Sequence, residues 1–470
     1  MVARNDELET LGAATGAKTT GARLGVATYF GYGLGSVATG IFTTLPGLLL
    51  LAFMVRHLAM PPALAGLVIF LPRFWDVFVD PVMGAISDRT RSRIGARRPW
   101  LALGGLLLPL SFVFLFRVPE LSGQEAALYV LLVYVIGNTA FSIFQVPYVA
   151  LPAEMTEDYD ERTTIMAWRI TLLAVGILIA GGAAPEIVRL AGGGREGYAT
   201  MAIVIGAIML AACASAFFGT RRIPLVQPVR TTAPFAEQLR AAAQNKPFFW
   251  LLGAFLVQAL GTGCMLAAVD FFSVYRLNDP ALTSRLFACL IAPSLVTMPL
   301  WAWVGHRFGK KTGFIACTLI FALGGLSLIS ASPDRVWLVY LQVLIMGTAY
   351  AGTQMFPLAM LPDTISADTA RTGLRRAGSF TGVWTAGEKL GMALGPAVFA
   401  GMLAASGFVE GQDGAVLGQP PQALAGILIG TAVAPALFLL ASLYFIHRYG
   451  LESYGRRPRS APPGITGAPP

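Results

Sequence analysis

Residues 73–99 read RFWDVFVDPVMGAISDRTRSRIGARRP. The first half is apolar, helix-forming sequence that carries Arg73, Asp76 and Asp80 at spacings of three and four, so on an α-helix the three share one face. A carboxylate in hydrocarbon costs ~2.5–3.5 kcal/mol on insertion scales, so such groups face a protein interior or a water-filled cavity. Two of them one turn apart hold a cation, or share a proton because both do not readily ionise together. The second half reverses character. From Asp88 onward, Arg89, Arg91, Arg93, Arg97 and Arg98 crowd a short connection of the kind found on the cytoplasmic side. A buried ion site followed by a basic hinge points to a transporter. The plainer alternative is a structural ladder in which Arg73 neutralises Asp76 and the arginines only set topology.

Composition agrees with a membrane setting. Of 470 residues, 55% are hydrophobic and only 13% charged, against about 25% charged in soluble proteins. The mean hydropathy is +0.66. The net charge of +9 does not indicate a nucleic-acid partner, because the Arg and Lys lie in short connections between apolar runs, where topology explains them. The cysteines, Cys213, Cys264, Cys289 and Cys317, fall singly inside apolar runs, which argues against disulfides and against a metal site. The histidines, His57, His306 and His447, sit at helix ends, so none is available as a proton relay at the membrane midplane. Residues 1–23 are mixed polar and do not read as a signal peptide.

A spanning helix needs about 20 apolar residues. Runs of that length predict helices over 25–55, 63–87, 99–118, 126–152, 164–190 and 198–219, then 247–275, 284–305, 312–331, 335–361, 378–406 and 421–447. The expected organisation is a disordered tail (1–23), a six-helix half (24–219), a linker (220–246) with an amphipathic part near 235–243, a second six-helix half (247–447) and a disordered tail (448–470). Basic residues concentrate on the side of the linker and both tails, which places both termini in the cytoplasm and the chain in the cell (inner) membrane as a multi-pass protein.

The halves echo each other. Pro147–Pro152 (PYVALP) leads into Glu154 and Arg162, and Pro357–Pro362 (PLAMLP) leads into Asp363 and Arg371. Asp88-Arg89 through Gly95-Ala96-Arg97-Arg98 is matched by His306-Arg307-Phe308-Gly309-Lys310-Lys311. Two six-helix halves with substrate bound between them is the major facilitator arrangement.

Among the polar positions, Asp76 and Asp80 are the candidate cation site, with Ser142 on the fourth helix adding a hydroxyl. Val79 stands where a further oxygen ligand would help, so a proton is favoured over sodium. Lys389, with Glu388, lies mid-membrane in the eleventh helix. It faces the interior, either fixed to Glu388 or exchanging with the transported cation at Asp76 and Asp80. Glu154, Asp158, Asp160, Glu161 and Arg162 read as a loop after the fourth helix, and with Asp88, Arg89, Asp363 and Arg371 as a gate or inter-half latch. Arg169 either snorkels or reaches a substrate hydroxyl or acid. Asn138 and Gln145 lie on the fourth helix and Gln258 and Asp270 on the seventh. Trp384 is a candidate for stacking on a sugar ring or a packing residue. No GxSxG, HExxH, dinucleotide or Walker A motif is present, so nothing points to an enzyme or an organic cofactor, and transport would run on an ion gradient.

RFWDVFVDPVMG, TRSRIGARRPW, VPYVALPAEMTEDYDERTTIMAWR and a lysine in the eleventh helix together resemble the glycoside–pentoside–hexuronide:cation symporter family, the melibiose-permease-like branch of the major facilitator superfamily. Eukaryotic lysolipid carriers are distant members. The resemblance implies a twelve-helix fold, a proton or sodium ion at Asp76 and Asp80 near Ser142 and Lys389, and a substrate site touching Arg169 and positions 145 and 149. Galactoside carriers of the family have acids in the first and fourth helices and an aromatic residue on the sugar. This chain has Gly40, Gln145 and Val149 there, with Asp270 as a replacement acid. The expectation is therefore a monomeric importer of a sugar or glycoside. A lysolipid or drug carrier, or a non-transporting membrane sensor, is the alternative.

Overall fold

The computed structural model describes residues 24–156, 158–221, 223, 244–372, 377–411 and 418–450. The expected linker over 220–246, including 235–243, and both tails fall almost wholly outside them. All regular structure among the described residues is helical.

Among the described residues, eleven helices are long and apolar enough to cross a membrane: α1 (Val26–His57), α2 (Pro62–Arg89), α3 (Arg98–Phe116), α4 (spanning Gly123–Pro152), α5 (spanning Glu161–Leu190), α6 (Gly194–Thr220), α7 (Lys246–Arg276), α8 (Leu282–Phe308), α9 (Lys310–Ser330), α10 (spanning Pro333–Arg371) and α12 (Pro421–Arg448). The twelfth long helix, α11 (Ala377–Ala405), carries Glu388 and Lys389 near its middle. All twelve predicted runs are helical. Two run on past the prolines after PYVAL and PLAML, which do not end them: α4 continues to Met155 and α10 to Thr372. Glu154 and Asp363 are thus helical, and Arg162 belongs to the helix Tyr159–Leu178 at the start of α5, where a loop had been expected. Proline is tolerated inside such helices because neighbouring groups satisfy the freed carbonyls.

The halves pack alike. In the first, α1 contacts α5 and α6, α3 contacts α4 and α6, and α2 contacts α4. In the second, α7 contacts α11 and α12, α9 contacts α10 and α12, and α8 contacts α10. The α1–α5 and α7–α11 crossings are close because glycines meet backbone. A Cβ on Gly40 would stand 2.7 Å from the Leu173 carbonyl, and one on Gly395 would stand 2.3 Å from the Cys264 nitrogen. Without a hydrophobic drive between helices in lipid, such backbone approach supplies the packing.

Between halves, α2 lies against α11, α5 against α8, and the second part of α1 against α7. The face bearing the α1–α2, α7–α8 and α11–α12 turns (the odd-turn face) is closed. The backbone of Ala59 donates to Gly411 (3.1 Å), and Gly411 donates to Val55 (3.0 Å). Arg56 meets Asp270 at 2.6 Å, both nearly buried. The opposite, basic face carries the α2–α3, α4–α5 and α8–α9 connections. Large apolar side chains on α2, Phe74, Phe78 and Val82, are exposed on the flank away from Asp76 and Asp80, as a lipid-facing surface requires.

Candidate functional site

α2 and α4 run side by side in the same direction, and their side chains pair at offsets between 61 and 64. Arg73 Nε donates to the Tyr134 hydroxyl at 3.0 Å, 61 positions apart. One turn and more along, Ser142 Oγ donates to Asp80 Oδ1 at 2.6 Å, 62 apart. Lys389 reaches over from α11, donates to Asp80 Oδ2, and stands 4.0 Å from Asp76. The sequence therefore placed Asp76, Asp80, Ser142 and Lys389 in one cluster, and the structure assembles it from both halves. Lys389 is tied to Asp80 and not fixed to Glu388.

Arg73 does not clamp Asp76. Its guanidinium lies 5.8 Å from the Tyr134 ring centroid and 6.0 Å from that of Phe42. Asp76 is fully buried, and neither of its carboxylate oxygens has a hydrogen-bond partner. A buried carboxylate in that state is costly, so the arrangement asks for a proton or a cation. Asp80 keeps a 25% exposed side chain and lies nearer the basic face, so access runs from that side.

Further along the same stripe of α4 come Gln145 and Val149. Gln145 Oε1 is buried without a partner, and Val149 is 40% exposed. Arg169 on α5 sits 5.9 Å from the Tyr148 ring centroid, and its Nε has no partner. Tyr148 is locked by its hydroxyl, 2.8 Å from Ser36 Oγ and donating to the Tyr32 carbonyl at 2.7 Å. This leaves one guanidinium nitrogen of Arg169 and one amide oxygen of Gln145 without partners, while another Arg169 nitrogen donates to Met166 Sδ at 3.9 Å; such polar groups suit an oxygen-rich ligand.

The other expected substrate residues have different surroundings. Gly40 is buried against the α5 backbone, with no space for a ligand. Trp384 is 2% exposed and stacks on Phe255 of α7 at 4.5 Å. Asp270 is bound to Arg56 and accepts from Thr283 at 3.1 Å at the odd-turn end. Sequence reasoning missed Arg56 and Tyr134. Neither lies in a charge cluster, so only the tertiary pairing reveals them.

On the basic face several of the expected latch residues pair within their own half. Gly95 (φ 99°) and Gly309 (φ 94°) make equivalent turns in a region that favours glycine. After the first, Arg97 reaches Glu154 (2.8 Å), Ser87 (2.6 Å) and Asp88. After the second, Lys310 reaches Asp363 (2.7 Å). The next residues also match: Arg98 donates to the Thr220 and Ile223 carbonyls at the end of α6, and Lys311 to the His447 and Tyr449 carbonyls at the end of α12. Arg97 thus pairs with Asp88, and Arg89 is exposed. Arg162 donates to the Thr156 carbonyl (2.8 Å) and Arg371 pairs with Asp368 (3.1 Å).

The family model described as "MFS/sugar transport protein" matches residues 31–453. The chain belongs to that family. Among MFS/sugar transport relatives, it is 28% identical to an uncharacterized symporter, YnaJ, of Bacillus subtilis (strain 168), over 90% of this chain and 91% of that one. It is 26% identical to the glucuronide carrier protein homolog of Escherichia coli (strain K12), over 90% and 92%. Its fold is similar to the crystal structure of a D-xylose-proton symporter, with a TM-score of 0.66 at 16% identity, covering 89% of this chain and 96% of that one. The chain is a multi-pass membrane transporter of the major facilitator fold.

Proposed function

We propose that the chain is a cation-coupled symporter that imports a sugar or glycoside by alternating access, driven by a proton or sodium gradient. The observation that carries this reading is the reach of Lys389 from one half onto Asp80 of the other, beside the unsatisfied Asp76. A cation arriving at Asp76 and Asp80 competes with Lys389 for Asp80. Its binding therefore changes the tie between halves, which is what coupling needs: a ligand with different affinity for two states. Arg56–Asp270 and the Ala59–Gly411 strand-like pair form the seal at the odd-turn end.

Gln145, Val149 and Arg169 are the substrate-facing residues in this reading. A guanidinium held by no carboxylate suits the carboxylate of an acidic sugar or a cluster of hydroxyls, in keeping with the relative named a glucuronide carrier homolog. The basic face is cytoplasmic, both termini lie on that side, and the protein works as a monomer in the inner membrane.

The test is counterflow in proteoliposomes with a panel of neutral and acidic sugars and lysolipids, with and without imposed proton and sodium gradients. Accumulation of one sugar under one cation gradient is expected. Movement of lysolipid alone, or of nothing in the panel under either gradient, would overturn the reading.

A further inference from the structure

Of the three α2–α4 side-chain pairs, Trp75 with Thr139 lies at an offset of 64, and the other two bracket Asp76, which makes no bond to α4. Arg73 meets Tyr134 and Asp80 meets Ser142 at offsets of 61 and 62. The residue 62 positions beyond Asp76 is Asn138, so the register of the two helices sets Asn138 opposite Asp76. Asn138 is fully buried. Its Nδ2 donates to the Tyr134 carbonyl at 2.8 Å, which fixes the orientation of the amide, since only the nitrogen end donates. The other end, Oδ1, has no partner, like both oxygens of Asp76.

Two acceptors facing each other do not bond. A carboxylate and an amide oxygen both present lone pairs, so this level of the site is oxygen-rich, and the Lys389 ammonium 4.0 Å from Asp76 is spent on Asp80. A proton on Asp76 would serve a single contact and leave a carboxyl oxygen bare. A hard monovalent cation serves all three oxygens at once, with Asp80 and Ser142 at the next level completing its shell once Lys389 moves off. Asn138 adds an oxygen without adding a charge.

We propose that Asn138 is a direct ligand of a sodium ion centred on Asp76, supplying from α4 the oxygen that α2 lacks at Val79, and that it makes this carrier sodium-selective. The inference rests on the cation-coupled reading above and departs from the leaning toward a proton that Val79 suggested. Asn138 is the selectivity residue, and Tyr134 is the residue that aims it.

The experiment is a sodium titration of the purified full-length protein at fixed pH and ionic strength, with choline as the replacement ion. The readout is tryptophan fluorescence, for which Trp75, adjacent to Asp76 and bonded to Thr139 at 3.2 Å, is a local reporter. Wild type should respond saturably to sodium. Asn138→Ala should raise the half-saturating sodium at least tenfold, while Asn138→Asp, which keeps an oxygen there, should stay within about threefold. Thermal melting without sodium verifies that each variant is folded, and Asn138→Ser replaces the alanine variant if it is not. An unchanged sodium midpoint in folded Asn138→Ala overturns the proposal. So does a wild type that ignores sodium while counterflow follows protons. Asp76→Asn separates the two readings: if it keeps the full sodium response, the cation site itself is elsewhere and the coupling reading fails with it.

Discussion

Lys389 and Asp80 stand 309 positions apart in sequence and are bonded to each other across the boundary between the two halves. The lysine also lies 4.0 Å from Asp76, so one ammonium balances two carboxylates that a cation would balance in its place. Lys389→Ala should abolish gradient-driven accumulation. The check is uptake by proteoliposomes under an imposed gradient, and normal accumulation would remove the lysine from the mechanism.

The odd-turn seal is testable by charge exchange. Arg56 and Asp270 are 12% and 9% exposed at 2.6 Å, and breaking a desolvated pair of this kind costs about 2–5 kcal/mol. Asp270→Asn should therefore shift the population toward states open at that end by more than tenfold. Thiol labelling of a cysteine introduced at Leu266, which packs beneath Gly47 on α1, would report the opening. The swapped pair Arg56→Asp with Asp270→Arg should recover closure, as a double-mutant cycle requires. Unchanged labelling in Asp270→Asn would show that the pair is not a seal.

Gly40→Asp puts an acid where galactoside carriers of the family have one. Here it should not create sugar affinity. Its Cβ would press on the Leu173 carbonyl at 2.7 Å, an overpacking cost of about 1–3 kcal/mol. The expected result is a lower melting temperature in detergent and no galactoside counterflow.

Matched ion pairs on the basic face should have unequal worth. Arg97 and Glu154 are 7% and 4% exposed, so Arg97→Ala strands a buried carboxylate and should cost about 3–5 kcal/mol. Lys310 and Asp363 are 44% and 43% exposed, and Lys310→Ala should cost under about 1 kcal/mol. Thermal unfolding of the two variants side by side measures the difference.

Much of this was legible in the sequence, and for physical reasons. Lipid imposes a run length, so the twelve helices were readable as long apolar runs, though α11, with Glu388 and Lys389 near its middle, falls short of the other eleven in hydropathy. An acid in hydrocarbon must turn inward, so the common face of Asp76 and Asp80 followed from spacing. The echoes at Gly95 and Gly309 foretold where Arg97 and Lys310 would come to lie, though not that each partner would be in its own half. The rest depended on which way a helix faces. Trp384 is five residues from Lys389, roughly 140° round the helix, so one looks at α7 and the other at α2. Arg56 and Asp270 are 214 positions apart, and no local pattern joins them. Asn138 looked like one of several polar residues until the offset between α2 and α4 set it level with Asp76.

The four charges at the site, Arg73, Lys389, Asp76 and Asp80, sum to zero before any ion arrives. A sodium ion entering with a neutral sugar therefore carries one uncompensated positive charge inward, and the empty carrier returns without it. Such a cycle is electrogenic, drawing ~2.3 kcal/mol from each 100 mV of membrane voltage. With a singly anionic hexuronide the same cycle is electrically silent, so the current itself reports whether the cargo is charged.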